Sequence, residues 1–514
     1  MSKTIIIIGA GLAGLSAALQ AAENGCNVKL VSSFPSERAQ SVMAEGGINA
    51  ALNTKDENDS PEEHFTDTIK AACGLADPNA VWGMTQAAPE LVHWLLKLGV
   101  KFNMSGYDDV DLRNFGGQKK KRTAFAQSDT GKQIMTAMID AVRRKEASGM
   151  VERFSHHSFL TLRLCDNICC GCVIRDEYSQ ETVELPGDAV IVATGGMHGL
   201  FGNTTGSLSN TGEVTAELFR LGVPLANGEM IQYHPTTVKC GGKRMLISEA
   251  ARGEGGRLFA MKDGKQWYFM EEKYPELGNL MPRDITAREI WKVSHESEVF
   301  LDMTEISDEI ISNKLSGLAD DCMTYLHKDI RKEPVSVLPG IHYFMGGILV
   351  DEQHRTPIQN LCAAGECCAQ YHGANRLGGN SLLGALYGGR VAAKSACEQA
   401  DVVDLSCATQ IDFPPASQIS EIKQLNKVMQ ETMGVVRNEN TLLNGIQTVQ
   451  ALTGNLPLLG MAVLKSALAR KESRGAHWRE DYPKSNDDDY LKTTVARFDG
   501  KQIQISFVPV PERR

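Results

Sequence analysis

The sequence predicts an α/β protein built around a Rossmann-like domain, and two observations carry that prediction. Residues 5–8 are four consecutive isoleucines, the pattern of a parallel strand that is buried on both faces. The glycines of Gly9-x-Gly11-x-x-Gly14 follow at once, and residues 12–31 have the composition of a helix and then a second strand. This order predicts a dinucleotide site, because the tight turn lets the backbone and the helix N-terminus approach a pyrophosphate.

Two later strands end in glycine in the same way. One ends at Ala193-Thr194-Gly195 and the other at Gly365-Glu366. Strand endings this far apart in the chain predict one nucleotide-binding domain that is interrupted by an inserted domain.

The insertion is placed where the pattern of strands ending in glycine stops and charged, irregular sequence begins. After about residue 405 the periodicity is helical, with helices expected over 419–433 and 444–471, and the last stretch is polar with two short strand-like runs. The predicted segments are 1–228 and 342–405 for the two parts of the nucleotide-binding domain, 229–341 for an inserted α+β capping domain, 406–475 for a helical domain and 476–514 for a C-terminal tail with short strands.

Composition excludes several classes of protein. The 514 residues carry a formal net charge of −10, so no basic surface for nucleic acid is expected. The uncharged stretch 5–22 resembles a membrane span, but its glycines and the strand that follows fit the βαβ unit better. Thirteen cysteines in a chain of this length predict reduced thiols and a cytoplasmic protein.

Two further patterns are interpreted as structural. Cys165, Cys169, Cys170 and Cys172 include a CxxC, but the surrounding alternation predicts a β-hairpin and no second CxxC supplies the remaining ligands, so no metal site is predicted. The basic run at residues 119–122 is expected to be a solvated loop rather than a nucleic-acid patch.

The nucleotide site lacks one expected group. An acidic residue about 20 residues after the glycine motif usually holds the ribose, and Ser32-Ser33 stand there instead. Hydroxyls can still bind a ribose, but the missing acid disfavours NAD, while the later strand endings favour FAD. The cofactor contacts predicted from the first motif are Gly9, Ala10, Gly11, Ala13 and Gly14.

A second group of residues combines cations with glycine- or proline-rich turns. Its members are His234, Thr236, Ser248, Glu249, Arg252, Arg283, His342, His372 and Arg376. This is more charge than a solvated surface needs, and such loops host chemistry. Cationic groups beside glycines that let backbone approach a ligand fit a buried dicarboxylate next to a bulky cofactor.

With these residues in place, the chain resembles the flavoprotein subunits of fumarate reductases and succinate dehydrogenases, a group that includes L-aspartate oxidase. The likeness covers nearly the whole length. The matching segments are Glu45-Gly46-Gly47-Ile48-Asn49-Ala50, Phe115-Gly116-Gly117, Gln232-Tyr233-His234-Pro235-Thr236, Arg252-Gly253-Glu254-Gly255-Gly256, His342-Tyr343, His372 to Leu383, and Lys471 to His477.

The resemblance implies FAD as cofactor and fumarate as substrate, with hydride leaving flavin N5. It implies that Arg283 gives the proton through a relay of Glu249 and Arg252, and that the inserted domain closes as a lid. The substrate contacts that it implies are His234, His342, Arg376, Phe115, Ser248 and Thr236. The cofactor contacts that it implies are Ser32, Ser33, Glu45, Gly46, Gly47, Ala193, Thr194, Gly195, Glu213, Glu366, Asn380, Ser381, Leu382 and Leu383.

Two departures from the family pattern are informative. Gln40 stands where many membrane-bound members carry a histidine that bonds covalently to FAD, so FAD is expected to be non-covalent. In the family this lowers the flavin potential and favours fumarate reduction. Glu213 stands where the family usually has aspartate, which puts one flavin contact in doubt.

Alternative functions are weighed against fumarate reductase. L-Aspartate oxidase is disfavoured because Phe115 stands where that enzyme places a glutamate for the substrate ammonium. A non-catalytic subunit that holds FAD only to relay electrons is disfavoured by the retained arginines and histidines, and a nucleic-acid flavoenzyme by the net charge.

The source of electrons lies outside this chain. The sequence has no cysteine clusters for iron–sulfur centres of its own. The resemblance therefore implies an iron–sulfur partner subunit, and any membrane contact, at the inner face, is expected only through other subunits.

Overall fold

The computed structural model describes residues 2–399, 413 and 418–514. The strands are β1 (Thr4–Ile8), β2 (Asn27–Ser32), β3 (Ile48–Asn49), β4 (Leu112–Arg113), β5 (Thr123–Ala124), β6 (Val151–Ser155), β7 (His157–Cys165), β8 (Ile168–Asp176), β9 (Thr182–Pro186), β10 (Ala189–Val192), β11 (Leu225–Ala226), β12 (Ile231–Cys240), β13 (Lys243–Leu246), β14 (Arg257–Lys262), β15 (Lys265–Trp267), β16 (Val299–Asp302), β17 (Val335–Ser336), β18 (Leu338–Phe344), β19 (Gly347–Leu349), β20 (Leu361–Ala363), β21 (Cys368–Ala369), β22 (Lys492–Phe498) and β23 (Ile503–Pro509).

The α-helices lie between these strands and after them. They are α1 (Leu12–Glu23), α2 (Pro61–Ala71), α3 (Pro78–Leu98), α4 (Thr130–Ala147), α5 (Glu213–Arg220), α6 (Glu249–Gly253), α7 (Phe269–Lys273), α8 (Arg283–Val293), α9 (Asp308–Lys314), α10 (Ser316–Asp321), α11 (Asn380–Gln399), α12 (Ile419–Thr432), α13 (Glu439–Val449), α14 (Asn455–Ala469) and α15 (Asp487–Tyr490).

A five-stranded parallel sheet, in the order β20-β10-β1-β2-β6, forms the centre of the fold. The isoleucines of β1 alternate between its two faces, as the strand period requires. Ile5 and Ile7 pack in a core shared with α1, α4 and α11, whereas Ile6 and Ile8 pack towards the small sheet β7-β8-β9. The sheet is therefore covered on both faces, which confirms the predicted α/β architecture and the buried strand.

The three glycine endings predicted from the sequence meet at one edge of this sheet. β1 pairs in parallel with β10, and β10 pairs in parallel with β20. Gly9 follows β1 directly, and Gly195 and Gly365 lie within three residues of the ends of β10 and β20; all three have positive φ. Because the carboxyl ends of parallel strands share an edge, these turns form a continuous border.

The inserted segment brings its own sheets and core. The sheet β13-β12-β18 and the sheet β15-β14-β16-β17 lie here, with helices α6 to α10. Leu258, Leu301, Ile290 and Leu318 belong to a buried cluster separate from that of the central sheet. The segment boundaries stay a prediction, and the boundary at 405–406 lies outside the described residues.

The C-terminal region differs from the expectation in one respect. The predicted helix over 444–471 is two helices, α13 and α14, because Gly454 at φ +110° separates them in a conformation that side chains disfavour. Strands β22 and β23 form a hairpin whose first strand pairs with β11, so this part of the chain extends the sheet β21-β19-β11-β22-β23.

Two local predictions need correction. The run at residues 119–122 is not wholly solvated, because Arg122 is fully buried and forms ion pairs with Asp59 and Asp67, each at 2.9 Å. Cys169, Cys170 and Cys172 are free thiols in the predicted hairpin β7–β8, but Cys165 is disulfide-bonded rather than reduced.

Over the residues that the structure describes, none of the helices combines the length and the apolar character that a membrane crossing requires.

Candidate active site

A cavity of about 480 Å³ opens at the carboxyl edge of the central sheet. Its wall includes the glycine turn after β1, the residues that follow β2, β10 and β20, the stretch 38–47 and the first turn of α11. Residues of β12, β13 and α6 in the inserted segment line it as well. The volume is in the range of cofactor and small-molecule sites.

The glycine turn brings the start of α1 to this cavity. Gly9 has φ +109°, and a Cβ there would lie 2.2 Å from Ala193 O, so only glycine fits. The N-cap of α1, Gly11, has no side chain to bind the first-turn N–H groups, although Leu12 N donates to Ser41 Oγ at 3.2 Å. Free N–H groups and the positive end of the helix dipole suit a pyrophosphate.

Ser32, at the end of β2, supplies a hydroxyl to the same wall. Its Oγ is buried and has no hydrogen-bond partner among the described residues, and Ser33 lines the cavity beside it. A buried polar atom without a partner is uncommon in a folded protein. A ribose hydroxyl would satisfy it, so the residues present fit a dinucleotide cofactor.

Cationic and aromatic side chains converge on another part of the wall. His234 and His342 lie on the paired strands β12 and β18, with their ring centroids 5.1 Å apart. The Arg376 guanidinium stacks 4.3 Å from the Tyr343 ring centroid, and its Nε has no partner within the described chain. Arg283, at the start of α8, is 7% exposed. Two guanidinium groups and two imidazoles suit a ligand with two carboxylates.

Glu249 joins two of the predicted catalytic arginines. Its Oε2 accepts hydrogen bonds from Arg283 Nε at 2.8 Å and Nη2 at 2.6 Å, and its Oε1 accepts one from Arg252 Nη2 at 3.3 Å. Burial raises the pKa of Glu249, but the guanidinium groups of Arg283 and Arg252 outweigh it and hold the pKa below its usual value. The carboxylate is therefore ionised and links both arginines at neutral pH.

His234 and His342 are both neutral, because burial disfavours their charged form. Burial, with added repulsion from the Arg283 guanidinium, holds the pKa of His234 and of His342 well below the usual value of 6.5. Thr205 Oγ1 lies 2.8 Å from His342 Nδ1. His234 Nδ1 lies 3.0 Å from Thr236 O. These contacts fix the orientation of each imidazole ring.

Phe115 presents an apolar ring to the cavity. It is 2% exposed. A Cβ on Gly46 would lie 2.9 Å from Phe115 Cζ, and one on Gly378 would lie 2.9 Å from Phe115 Cδ2. The ring is held between two glycines and gives the wall an apolar surface at this point.

Gln232 was given no role from sequence, although it belongs to a segment that matches the family. Its Oε1 accepts a hydrogen bond from Arg283 Nη1 at 3.1 Å, and its Nε2 donates to Arg376 O at 2.8 Å and to Asn375 Oδ1 at 2.9 Å. Asn375 Nδ2 also donates to Asp284 Oδ1 at 3.0 Å. These contacts connect the two arginines across β12.

Most predicted site residues line the cavity. They are Gly9, Ala10, Gly11, Ala13, Ser32, Ser33, Glu45, Gly46, Gly47, Phe115, Ala193, Thr194, Gly195, His234, Ser248, Glu249, Arg283, His342, Glu366, Arg376, Ser381 and Leu382.

Seven predicted residues do not line the cavity, each for a structural reason. Arg252 binds Glu249, the Thr236 carbonyl contacts His234, and Gly14 packs on Gly9, where a Cβ would lie 1.8 Å from Gly9 O. The others are His372, buried with its ring centroid 5.3 Å from that of Tyr343, Leu383, buried in the core, Asn380, bound to Asn49 and His64, and Glu213, exposed beside Gly212.

Several cavity residues could not be predicted from sequence motifs. Ser41, Thr205, Asn210, Arg244, Met245 and Tyr325 line the wall, but none stands in a recognised motif. Only the structure brings them to the site, since they come from loops, from short 3₁₀ and π-helical turns and from β13. Tyr343 could have been found from its position beside His342.

Comparisons with known proteins agree with this geometry. The family profile described as "FAD binding domain" matches residues 4–382, and that described as "Fumarate reductase flavoprotein C-term" matches residues 452–513. The succinate dehydrogenase flavoprotein subunit of Bacillus subtilis is 38% identical over 576 aligned positions, covering 100% of this chain and 98% of that protein. The 8-methylmenaquinol:fumarate reductase flavoprotein subunit of Wolinella succinogenes is 32% identical, with 100% and 92% covered.

Solved structures give the same result. A mutant FrdA chain of E. coli quinol fumarate reductase superposes with a TM-score of 0.89 at 27% identity, covering 99% of this chain and 97% of that chain. Sdh1 of Mycobacterium smegmatis superposes with a TM-score of 0.84 at 29% identity, with 100% and 95% covered. The cofactor is therefore FAD, and the protein is an FAD-dependent oxidoreductase. The chain belongs to the family of succinate dehydrogenase and fumarate reductase flavoprotein subunits.

Proposed function

We propose that this chain is the catalytic flavoprotein subunit of a fumarate reductase, which reduces fumarate to succinate and can run in reverse as a succinate dehydrogenase. The observation that supports this most is the convergence of His234, His342, Arg283 and Arg376 on one cavity wall beside the dinucleotide site. FAD, when bound, supplies the hydride.

The substrate is held by charge and hydrogen bonds from these side chains. Arg376 and the two imidazoles bind the carboxylates of fumarate, and Ser248, which also lines the cavity, donates a further hydrogen bond. Cations at one carboxylate polarise the double bond and stabilise the charge that develops there as hydride arrives.

Arg283 is the proposed proton donor. A guanidinium rarely gives up a proton, so the site must favour the transfer by excluding water and by returning the proton at once. Arg283 is nearly buried, and Glu249 accepts hydrogen bonds from both Arg283 and Arg252. This arrangement supports a relay from Arg252 through Glu249 to Arg283.

The segment 229–341 is proposed to act as the lid. It carries Glu249, Arg252 and Arg283 and the substrate contacts His234 and Ser248, while Arg376 and the cofactor turns lie on the other segments. Closure would therefore bring the proton donor and two substrate contacts to a substrate bound at Arg376 beside the cofactor.

FAD is proposed to be non-covalent. Gln40 lines the cavity, and its Oε1 accepts a hydrogen bond from Ser207 N. An amide has no nucleophile for a bond to flavin, and the absence of that bond is the reason to favour fumarate reduction. Acid precipitation that leaves all flavin in solution is the expected result, and flavin that stays with the precipitate would contradict it.

The test of activity compares two reactions of the purified FAD-loaded protein. Reduced viologen should be oxidised with fumarate, and L-aspartate with oxygen should yield no peroxide, because the Phe115 ring offers no partner for an ammonium group. Peroxide from aspartate without fumarate turnover would identify an L-aspartate oxidase instead.

The proton donor is tested separately. Arg283→Ala should lose fumarate turnover by at least about a thousandfold while retaining FAD. Arg331→Ala, at a surface arginine that pairs with Asp308, is the control and should keep full activity. Unchanged turnover in Arg283→Ala would favour another proton donor, or a non-catalytic subunit that holds FAD only to relay electrons.

An iron–sulfur subunit is the proposed electron-transfer partner. The support is that the relatives from B. subtilis and W. succinogenes are named as flavoprotein subunits. We place the chain in the cytoplasm, with membrane attachment at the inner face only through other subunits. Copurification of an iron–sulfur protein from the native host is the expected result, and isolation of the chain from that host without any iron–sulfur protein would contradict it.

A further inference from the structure

Two free cysteines lie in contact at the ends of two different helices. Cys26 stands between α1 and β2, and Cys397 lies in the last turn of α11. Their sulfur atoms are 3.0 Å apart, although 371 positions separate them in sequence. Cys26 is buried and Cys397 is half-buried, so one of the pair can be reached from solvent.

Both helices begin at the cavity and contribute to its wall. α1 begins at the glycine turn, and the first turn of α11 contains Ser381 and Leu382, which line the cavity. Along their length they touch closely, because a Cβ on Gly389 would lie 2.3 Å from Ala13 O and Ser16 Oγ donates to Leu386 O at 2.6 Å. Their opposite ends meet at the two cysteines.

We propose that Cys26 and Cys397 form a reversible disulfide that fastens α1 to α11 and slows the loss of FAD. The sulfur separation is about 1 Å longer than a disulfide bond, so a small shift suffices. A disulfide across so long a loop restricts the unfolded chain strongly.

The oxidant is a low-molecular-weight disulfide, and the reaction is thiol–disulfide exchange. Burial raises the pKa of the Cys397 thiol to about 12, so only a small thiolate fraction is present at neutral pH and the exchange is slow. That thiolate attacks the small disulfide, forms a mixed disulfide and releases one small thiol. Cys26 then attacks Cys397 Sγ and releases the second small thiol. The protein loses two electrons and two protons, and the small disulfide gains them.

The first test is peptide mapping of the FAD-loaded protein after treatment with oxidised glutathione. Trypsin with a glutamate-specific protease cuts at Glu23, Lys29 and Glu398, which isolates Cys26 and separates Cys397 from Cys407. The expected product is a linked pair of these peptides, lighter by two hydrogens than the free thiols and split by dithiothreitol. Free thiols at both positions, or glutathione left on Cys397 alone, would overturn the proposal.

The second test measures FAD release on heating, followed by flavin fluorescence. The oxidised protein should release FAD at least twofold more slowly than the reduced protein, and Cys397→Ser should abolish that difference. Cys73→Ser, at a half-buried cysteine whose sulfur contacts Ala71 O, is the control that should retain it. If protein with a complete Cys26–Cys397 disulfide released FAD as fast as the reduced protein, the proposed effect on FAD would be overturned.

Discussion

Gln232 uses one amide to join the two arginines that the proposed reaction needs. Its oxygen binds Arg283 and its nitrogen binds the backbone of Arg376. In Gln232→Leu the new side chain is similar in size to glutamine, but Arg283 Nη1 loses this hydrogen-bond acceptor. We expect kcat for fumarate to fall about tenfold, which corresponds to about 1.4 kcal/mol, with FAD content unchanged.

The control for this prediction is Gln266→Leu, at an exposed glutamine on β15. It should have wild-type kinetics. A Gln232→Leu enzyme with unchanged kcat would show that Glu249 alone positions Arg283.

The pH dependence of catalysis should lack a histidine step. Burial and nearby guanidinium groups hold the pKa of His234 and of His342 well below 6.5, so both rings stay neutral through the neutral range. We expect kcat/KM for fumarate to show no inflection between pH 6 and pH 7.5. A rise or fall centred near 6.5 would contradict the buried, neutral imidazoles.

At the scale of elements, the contact between α1 and α11 depends on the absence of a side chain at Gly389. A Cβ at this position would lie 2.3 Å from Ala13 O, so Gly389→Ala must push the helices apart. We expect about 1–3 kcal/mol of destabilisation and weaker FAD binding, measured by thermal unfolding and by flavin content. Gly242→Ala, where a Cβ meets nothing within 4 Å, is the control and should behave as wild type.

Elements with strong local signals could be predicted from the sequence, and elements set by distant pairing could not. β1, α1 and β2 follow from the isoleucine run and the glycine motif, which act over a few residues. β11 has two residues and exists because β19 and β22 pair with it from far along the chain. The break between α13 and α14 was missed because the apolar periodicity continues across Gly454.

The same distinction applies to the candidate site. Residues in dense motifs, such as Glu249 and Arg283, could be proposed from sequence and lie on the cavity wall. Arg244 and Asn210 could not, since a loop or a short strand brings each to the wall without a local pattern. Arg122 was misjudged because its partners, Asp59 and Asp67, are more than 50 positions away.

At the scale of the whole molecule, buried histidines make stability depend on pH. Burial is the main cause that lowers the pKa of His64 to about 3 and of His354 to about 4. It also lowers the pKa well below 6.5 in His234, His342, His372 and His477. Below pH 6.5 the unfolded chain binds protons on these rings and the folded chain does not, so stability is lost as pH falls.

We therefore expect Tm to fall steadily between pH 7 and pH 5. Glu45 acts in the opposite sense, because burial raises its pKa to about 8. Partial burial also raises the pKa of Asp59, Asp77, Glu213 and Asp321, but these four shifts are smaller than those of the six histidines. Differential scanning calorimetry of the FAD-loaded protein checks this, and a Tm that is equal or higher at pH 5 would contradict it.

The hairpin of β22 and β23 bears on how the protein is made. β22 pairs with β11, and Asn227 N donates to Thr494 O, so a sheet near the middle of the sequence takes its outer strands from residues 492–509. A ribosome translates those residues more than 260 positions after β11. The sheet can therefore be completed only after residues 492–509 have been translated and the hairpin has left the exit tunnel.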